Sequence, residues 1–210
     1  MVHLRLRKSQ GPPRRCAAAL LTLAFTLTAT TVLAQEEDFN ALTVSSALGG
    51  RDIYEALRDA KKVTAQRVDT VRDEMRPDEA KEGPELYVLG EATTLDAEKT
   101  EQLKKIFMAG GTYLSSSKAC RFRANIRFVF TPPAGDPVDL VLCFGCAEIE
   151  IWRKSALVSF TPFDPAYAEL LTLVRGVFPN DEFMKQFKPD AFVDRVKAYQ
   201  DAKPSSSPAP

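Results

Sequence analysis

The clearest pattern in this 210-residue chain is an alternation over residues 120–130, in which every even position is apolar and positions 121, 123, 125 and 127 are polar. The apolar positions are Cys120, Phe122, Ala124, Ile126, Phe128 and Phe130. An alternation with a period of two is typical of a strand with one buried face. The turn-forming segment TPPAGDP follows, and the alternation resumes at Val138. The sequence therefore predicts an antiparallel hairpin in which Phe130 lies near Val138.

The alternation changes phase within the stretch VDLVLCFGCAEIEIW. Leu140 and Leu142 are apolar positions before Gly145, whereas Ile149 and Ile151 are the apolar positions after it. Because one extra residue exchanges the two faces of a strand, this change predicts a β-bulge near Gly145 within one continuous strand.

The remaining patterns predict helices and further strands. Three helices are expected to begin near Asp52, Asp96 and Asp164, each followed by apolar residues at helical spacing, with Asp96 and Asp164 as N-caps and Asp52 in a capping box with Glu55. A last helix is expected around residues 190–199. The runs KVTAQRVD, LYVLGE and ALVSF predict strands, and TVRDEMRPDEAKEGPE predicts a charged loop. This mixture predicts an α+β fold, in which an antiparallel β-sheet has helices packed on one face, in a single domain over residues 51–200.

Both ends of the chain differ in composition from this domain. Residues 1–34 combine basic residues with an apolar run that ends at Ala34, which is the pattern of a cleaved secretory signal peptide. An uncleaved membrane anchor is the alternative interpretation of the same run. Residues 35–50 are interpreted as a linker, and residues 201–210 as a disordered Pro/Ser tail. The signal peptide predicts a mature protein that begins at Gln35 and is periplasmic or extracellular.

Cleavage would change both the net charge and the available chemistry. The chain has 28 basic and 28 acidic side chains, and five basic residues and no acidic residue lie in the signal peptide, so the mature charge is −5. A negative charge argues against nucleic acid or an anionic membrane as the main partner. The single histidine, His3, would also be removed. The mature chain then has no histidine for a catalytic triad or a histidine-ligated metal site.

Three cysteines remain in the predicted mature chain. In an oxidising compartment an odd number indicates one disulfide with a free thiol, an intermolecular bond or a metal site. Continuing the hairpin register brings Cys120 within about a diagonal step of Cys146 on the buried face and leaves Cys143 on the opposite face. These positions predict a Cys120–Cys146 disulfide and a free Cys143 thiol that reagents can reach.

Two other uses of the cysteines stay open. A redox dithiol would use Cys143 and Cys146, yet the strand-like residues after Cys146 do not provide the helix N-terminus that activates such thiols. A metal site would use the thiolates of Cys120, Cys143 and Cys146, with a carboxylate or water as the fourth ligand.

Charged residues on the predicted strand faces do not indicate a catalytic site. Asp139 lies across the hairpin from Arg127, which favours a solvated charged face over an anion-binding site. Glu148 and Glu150 share one strand face, but no flanking cleft indicates acid–base catalysis. No catalytic residue and no cofactor are predicted.

The cysteine spacing resembles that of a group of known sequences. One cysteine opens a strand, LCFGC lies in the next strand, and YVLGE and the helix in LDAEKTEQLKKIF precede both. These features are similar to those of uncharacterised exported bacterial proteins with a Cys then Cys-Phe-x-Cys strand signature. The resemblance covers about residues 52–178, and it implies the same domain boundaries without implying an activity.

The sequence as a whole predicts an exported, non-enzymatic α+β domain with a disulfide-stapled β-hairpin. Such a domain would act as a binding or envelope-associated module with a protein or envelope partner, without nucleic acid and without a membrane span after signal cleavage. The alternative function is that of a thiol-dependent redox protein or a metal-binding protein that uses Cys120, Cys143 and Cys146.

Overall fold

The structure is a computed structural model that describes residues 41–70, 86–114 and 118–202. These residues belong to one compact unit, Asn40–Pro210. The predicted signal peptide, all but the first residue of the predicted charged loop and most of the predicted Pro/Ser tail lie outside the described residues.

The described residues form one open antiparallel sheet of seven strands, ordered β2-β1-β4-β5-β6-β7, with β3 also paired to β1. The strands are β1 (Lys62–Thr70), β2 (Leu86–Val88), β3 (Thr93–Thr94), β4 (Ile126–Thr131), β5 (Val138–Cys143), β6 (Glu148–Arg153) and β7 (Ala156–Pro162). Each adjacent pair in this order is antiparallel. The predicted strands KVTAQRVD, LYVLGE and ALVSF correspond to β1, β2 and β7.

Six helices accompany the sheet in the described part of the chain. They are α1 (residues 41–48), α2 (Arg51–Asp59), α3 (Ala97–Phe107), α4 (Tyr167–Val177), α5 (Glu182–Lys185) and α6 (Val193–Ala202). Short 3-10 turns lie at Gly110–Thr112 and Asp164–Ala166. The predicted α+β class is confirmed. No described helix is both long and apolar enough to cross a membrane.

The main hydrophobic core lies between one face of the sheet and the helices. Phe130 pairs with Val138, as the alternation predicts, and both side chains are fully buried. Phe107 of α3 makes edge-to-face contacts with Phe128 and Phe130 at 6.4 and 6.1 Å. Each large apolar side chain buried in this way contributes about 1.5–3 kcal/mol of transfer free energy. The core therefore depends on the alternation that is visible in the sequence.

The start of the domain differs from the prediction. Residues 41–48 fall in the predicted linker, yet they are helical, and Val44 and Leu48 are fully buried in the main core. Gly50 occupies the N-cap position of α2, and its φ of 150° suits a residue without a side chain. Asp52 is inside the first turn and forms an ion pair with Arg153 at 2.7 Å. The prediction of Asp52 as a cap was therefore wrong.

The predicted strand over residues 120–130 forms only from Ile126 onward. Asn125 lies at the boundary: its main chain still bonds to Leu142 and Val68, and its side-chain oxygen accepts a hydrogen bond from the Phe144 amide at 2.7 Å. The Ala124 amide donates to the side-chain hydroxyl of Thr70, the last residue of β1, at 2.8 Å. Ala124 and Phe122 consequently pack beside Val141 in a second, smaller cluster, separate from the main core.

The Cys-x-x-Cys stretch is a hairpin turn and not a bulged strand. Leu142 pairs with Ile149 and Cys143 pairs with Glu148, so residues 144–147 reverse the chain between β5 and β6. A turn with an even number of residues moves the apolar positions from even to odd residue numbers, which explains the phase change. Ala147 has a φ of 51°, a left-handed conformation that is uncommon for a residue other than glycine.

Candidate functional site

A disulfide joins the β5–β6 turn to the irregular segment that precedes β4. The bond links Cys120 to Cys146, whose Cα atoms are 6.1 Å apart. Cys120 is exposed, whereas Cys146 is only 2% exposed. The structure thus brings together the two cysteines that the sequence pairs, although Cys120 approaches along a path that is not a strand.

Lys118 lies beside this disulfide and is almost completely buried, with 3% of its side chain exposed. Its ammonium group donates to the main-chain oxygens of Cys146 and Ala147 and forms an ion pair with Asp164 at 2.7 Å. It also lies 4.9 Å from the centre of the Phe192 ring, which is a cation–π distance. Burial lowers the pKa of Lys118, and the interaction with Asp164 opposes that shift. The side chain therefore connects the β5–β6 turn to the 3-10 turn that precedes α4.

Asp164 is the anionic partner in this arrangement. Its carboxylate is fully buried and faces Arg195 as well as Lys118, with an Arg195 Nε to Oδ1 distance of 3.4 Å. The sequence predicts Asp164 as a helix cap, but its side chain caps no helix in the structure. It is instead the centre of a buried ion-pair network.

Glu148 is the least expected member of this region. It begins β6, its carboxyl group is fully buried, and neither carboxyl oxygen has a hydrogen-bond partner among the described residues. Burial raises its pKa, while the nearby positive charge of Lys118 opposes the shift. A buried carboxyl group without hydrogen bonds is costly, and such a group calls for an explanation. Lys118, Glu148, Asp164 and Arg195 are called the polar cluster below.

Cys143 is the free cysteine, and it is buried rather than accessible. It lies on the sheet face opposite the main core, as predicted, but the segment before β4 covers that face. The Arg123 amide donates to its sulfur at 3.4 Å. Burial raises the pKa of the Cys143 thiol, although this hydrogen bond opposes the shift. The expectation that reagents reach Cys143 in the folded protein was therefore wrong.

The structure also separates Cys143 from the residues that could share a metal ion. Among the described residues, the group with ligand atoms in mutual reach consists of Cys120, Cys146 and Glu148, whose donor atoms all lie within 4.8 Å of one another. The alternative ligand set of Cys120, Cys143 and Cys146 is not the set that the structure brings together. While the disulfide is intact, its two sulfurs are not thiolate ligands.

The second face of the sheet carries an apolar strip, defined here as Phe122, Trp152, Leu157 and Phe160. In the described part of the chain, no helix residue belongs to the smaller cluster on this face. Trp152 pairs with Leu157, and the rings of Phe122 and Phe160 lie 6.0 Å apart. Leu157 and Phe160 remain 50% and 47% exposed. An apolar surface of this kind is typical of an interaction site.

Arg127 and Arg123 on this face are each close to an acidic side chain. Arg127 forms an ion pair with Asp139 at 2.7 Å, as the sequence suggests, and Arg123 lies 3.9 Å from Asp69. Glu150 accepts a hydrogen bond from the Trp152 indole at 3.0 Å. The charged groups on this face therefore compensate one another and do not form an anion-binding site.

Sequence reasoning did not identify the polar cluster. Lys118 and Asp164 are separated by 46 positions, and each is typical of a solvated loop or a helix cap when seen alone. Alternation does place Glu148 on the opposite strand face to Ile149 and Ile151, but it does not show that a further layer covers that face. Only the tertiary contacts reveal that these charges are buried.

Comparison of the chain with protein-family models, with curated proteins and with solved structures finds no match. The function is therefore inferred from the geometry of the site.

Proposed function

We propose that this chain is an exported, non-enzymatic α+β binding module that contacts a protein of the cell envelope through its apolar strip. The single observation that carries this proposal is that Trp152 and Phe122 contact the exposed Leu157 and Phe160 on a sheet face where no described helix residue joins the apolar cluster. Aromatic side chains in such a position are the residues that dominate protein–protein binding energy.

The rim of the strip favours a protein partner over a polyanion. Arg127 and Arg123 are compensated by Asp139 and Asp69, so little positive potential remains to attract phosphate groups. The predicted mature charge of −5 acts in the same direction. A polar rim around an apolar centre is the ordinary anatomy of a protein interface.

The polar cluster supports a structural role in preference to catalysis. Lys118 and Asp164 are buried and engaged with each other, so a substrate cannot approach either group in this conformation. A general acid or base must come within hydrogen-bond reach of the proton that it transfers. The cluster is better suited to holding the disulfide-bonded turn in place.

The disulfide supports the proposal of export. Stable disulfides belong mainly to oxidising compartments such as the periplasm and the extracellular space. The signal-peptide pattern of residues 1–34 has the same implication, and so does the resemblance to exported bacterial proteins. N-terminal sequencing of the exported protein should begin at Gln35, and a sequence that begins at Met1 would argue against cleavage.

Photo-crosslinking in the native host tests the binding face. A photoreactive phenylalanine analogue replaces Phe160 in the full chain, and a matched control carries it in place of Glu98, which is exposed on α3. We expect a discrete adduct with an envelope protein from position 160 and none from position 98. Adding Leu157→Lys should abolish the adduct, because a charge in the strip is costly to bury. Absence of an adduct, or identical adducts from both positions, would refute the proposed face.

A further inference from the structure

Three potential metal ligands meet at the stapled turn. One ligand atom each from Cys120, Cys146 and Glu148 lies within 4.8 Å of the other two. Cys146 belongs to the β5–β6 turn and Glu148 is the first residue of β6, so both are held by the hairpin. Cys120 reaches them from the segment before β4.

Glu148 provides a second, independent observation. Its two carboxyl oxygens are buried and have no hydrogen-bond partner among the described residues, although Lys118 lies near enough to affect them. Among the described residues, no hydrogen bond or ion pair is formed by these oxygens while the disulfide is intact, and Lys118 acts on them only through its charge. The Glu148 oxygens are buried beside two sulfur atoms without a hydrogen bond. A cation bound at this position in another state of the protein would explain their burial.

The spacing fits a tetrahedral divalent cation. Zinc binds thiolate sulfur at about 2.3 Å and carboxylate oxygen at about 2.0–2.2 Å, so two of its ligand atoms lie about 3.5–3.8 Å apart. Breaking the S–S bond allows the two sulfurs to move to that separation, and the Cα–Cα distance of 6.1 Å does not prevent it. Three protein ligands leave a fourth position for water.

Reduction would begin at Cys120, because its sulfur belongs to the exposed residue of the pair. A thiolate of a dithiol reductant attacks the Cys120 sulfur, the S–S bond breaks, and the electron pair leaves on the Cys146 sulfur. The second thiol of the reductant then displaces Cys120, so the reductant becomes a disulfide and both cysteines become thiols. Binding of a divalent cation releases the two thiol protons.

We infer that reduction of the Cys120–Cys146 disulfide creates a site for one Zn²⁺ ion, held by the two thiolates and the Glu148 carboxylate. The charges of the surrounding groups balance in that state. The ion, Lys118 and Arg195 supply four positive charges, and the two thiolates, Glu148 and Asp164 supply four negative charges. This inference is independent of the proposed binding face, because the two sites share no residue.

Cobalt binding to the full-length protein tests the inference. The protein is reduced with a phosphine under anaerobic conditions, the phosphine is removed, and Co²⁺ is added. We expect one Co²⁺ per chain, with a thiolate-to-cobalt charge-transfer band and the visible bands of tetrahedral cobalt, both lost on addition of Zn²⁺. The oxidised protein should show neither band, because its sulfurs are bonded to each other.

Variants identify the ligands. Glu148→Gln should weaken binding at least about tenfold, because the amide is a poorer ligand than a carboxylate. Glu150→Gln is the matched control on the same strand, and it should bind like the wild type. Cys143→Ser should also retain the site. Wild-type affinity in Glu148→Gln, or loss of binding in Cys143→Ser, would overturn the proposed ligand set.

X-ray absorption of the reduced wild-type protein loaded with Zn²⁺ gives a test that does not depend on a variant folding. We expect two sulfur ligands, with oxygen completing the coordination. Three sulfur ligands, or no bound zinc after reduction, would overturn the inference.

Discussion

Removing the Cys120–Cys146 disulfide tests how much of the stability comes from the staple. Cys120→Ser combined with Cys146→Ala is the suitable change, because serine is tolerated at the exposed position and alanine keeps the buried position apolar. The bond links residues separated by 26 positions. The loop-entropy relation for a loop of that size gives about 3.5 kcal/mol of stabilisation at 25 °C. In a chain of this size that loss corresponds to a fall of about 7–14 °C in Tm.

Calorimetry and urea unfolding of the double variant and the wild type measure this difference. Cys143→Ala is the control, since it removes a buried cysteine without breaking a bond. A reductant should lower the Tm of the wild type and of Cys143→Ala but leave the double variant unchanged. A double variant within about 2 °C of the wild type would contradict the estimate of about 3.5 kcal/mol.

Three further predictions concern buried groups. Cys143 should resist thiol reagents until the protein unfolds, because it is buried and its pKa is raised; rapid labelling of the native protein would contradict this. Burial raises the pKa of Tyr167 to about 12 from 10.0, so the unfolding free energy should fall as the pH rises above 10, by about 2–3 kcal/mol at pH 12. Urea unfolding of Tyr167→Phe should show a smaller loss, and an equal loss would refute the assignment. Lys118→Met should lower the free energy of unfolding by about 3–5 kcal/mol, because it leaves the buried Asp164 carboxylate without its cation. Adding Asp164→Asn should recover part of that loss, and urea unfolding that shows no recovery would argue against the ion pair.

Periodic patterns predicted the parts of the fold that local sequence determines. The register of Phe130 opposite Val138 follows from alternation and the turn between the strands. The helix after Asp96 follows from helical spacing, and the Asp96 side chain accepts the expected hydrogen bond from the Lys99 amide at 2.8 Å. In both cases residues close in sequence supply the decisive contacts.

The phase change near Gly145 could not be resolved in the same way. A one-residue bulge and an even-numbered turn shift the apolar positions identically, so the pattern has two interpretations. The turn at residues 144–147 contains one glycine, and the left-handed residue is Ala147, which gives no turn signal in the sequence. The cysteine pairing was nevertheless the one that the structure shows, because both geometries bring Cys146 towards the segment that contains Cys120.

The sequence did not predict the polar cluster, for a different reason. Burial of Lys118, Glu148 and Asp164 depends on long-range packing of the segment before β4, the β5–β6 turn and the start of α4. A charged residue in a sequence is by default a surface residue, and no periodicity marks the exceptions. The prediction that Cys143 is accessible was wrong for the same reason. Alternation along a strand shows which face a residue lies on, but it does not show which segment covers that face.

Peptide mapping of the non-reduced, exported protein tests the central claim most directly. The free thiol is alkylated after unfolding without reductant, and the digest is analysed by mass spectrometry. The structure predicts one cross-linked pair that contains Cys120 and Cys146, together with an alkylated Cys143. A bond from Cys143 to either of the other cysteines, or three alkylated cysteines, would contradict the Cys120–Cys146 staple.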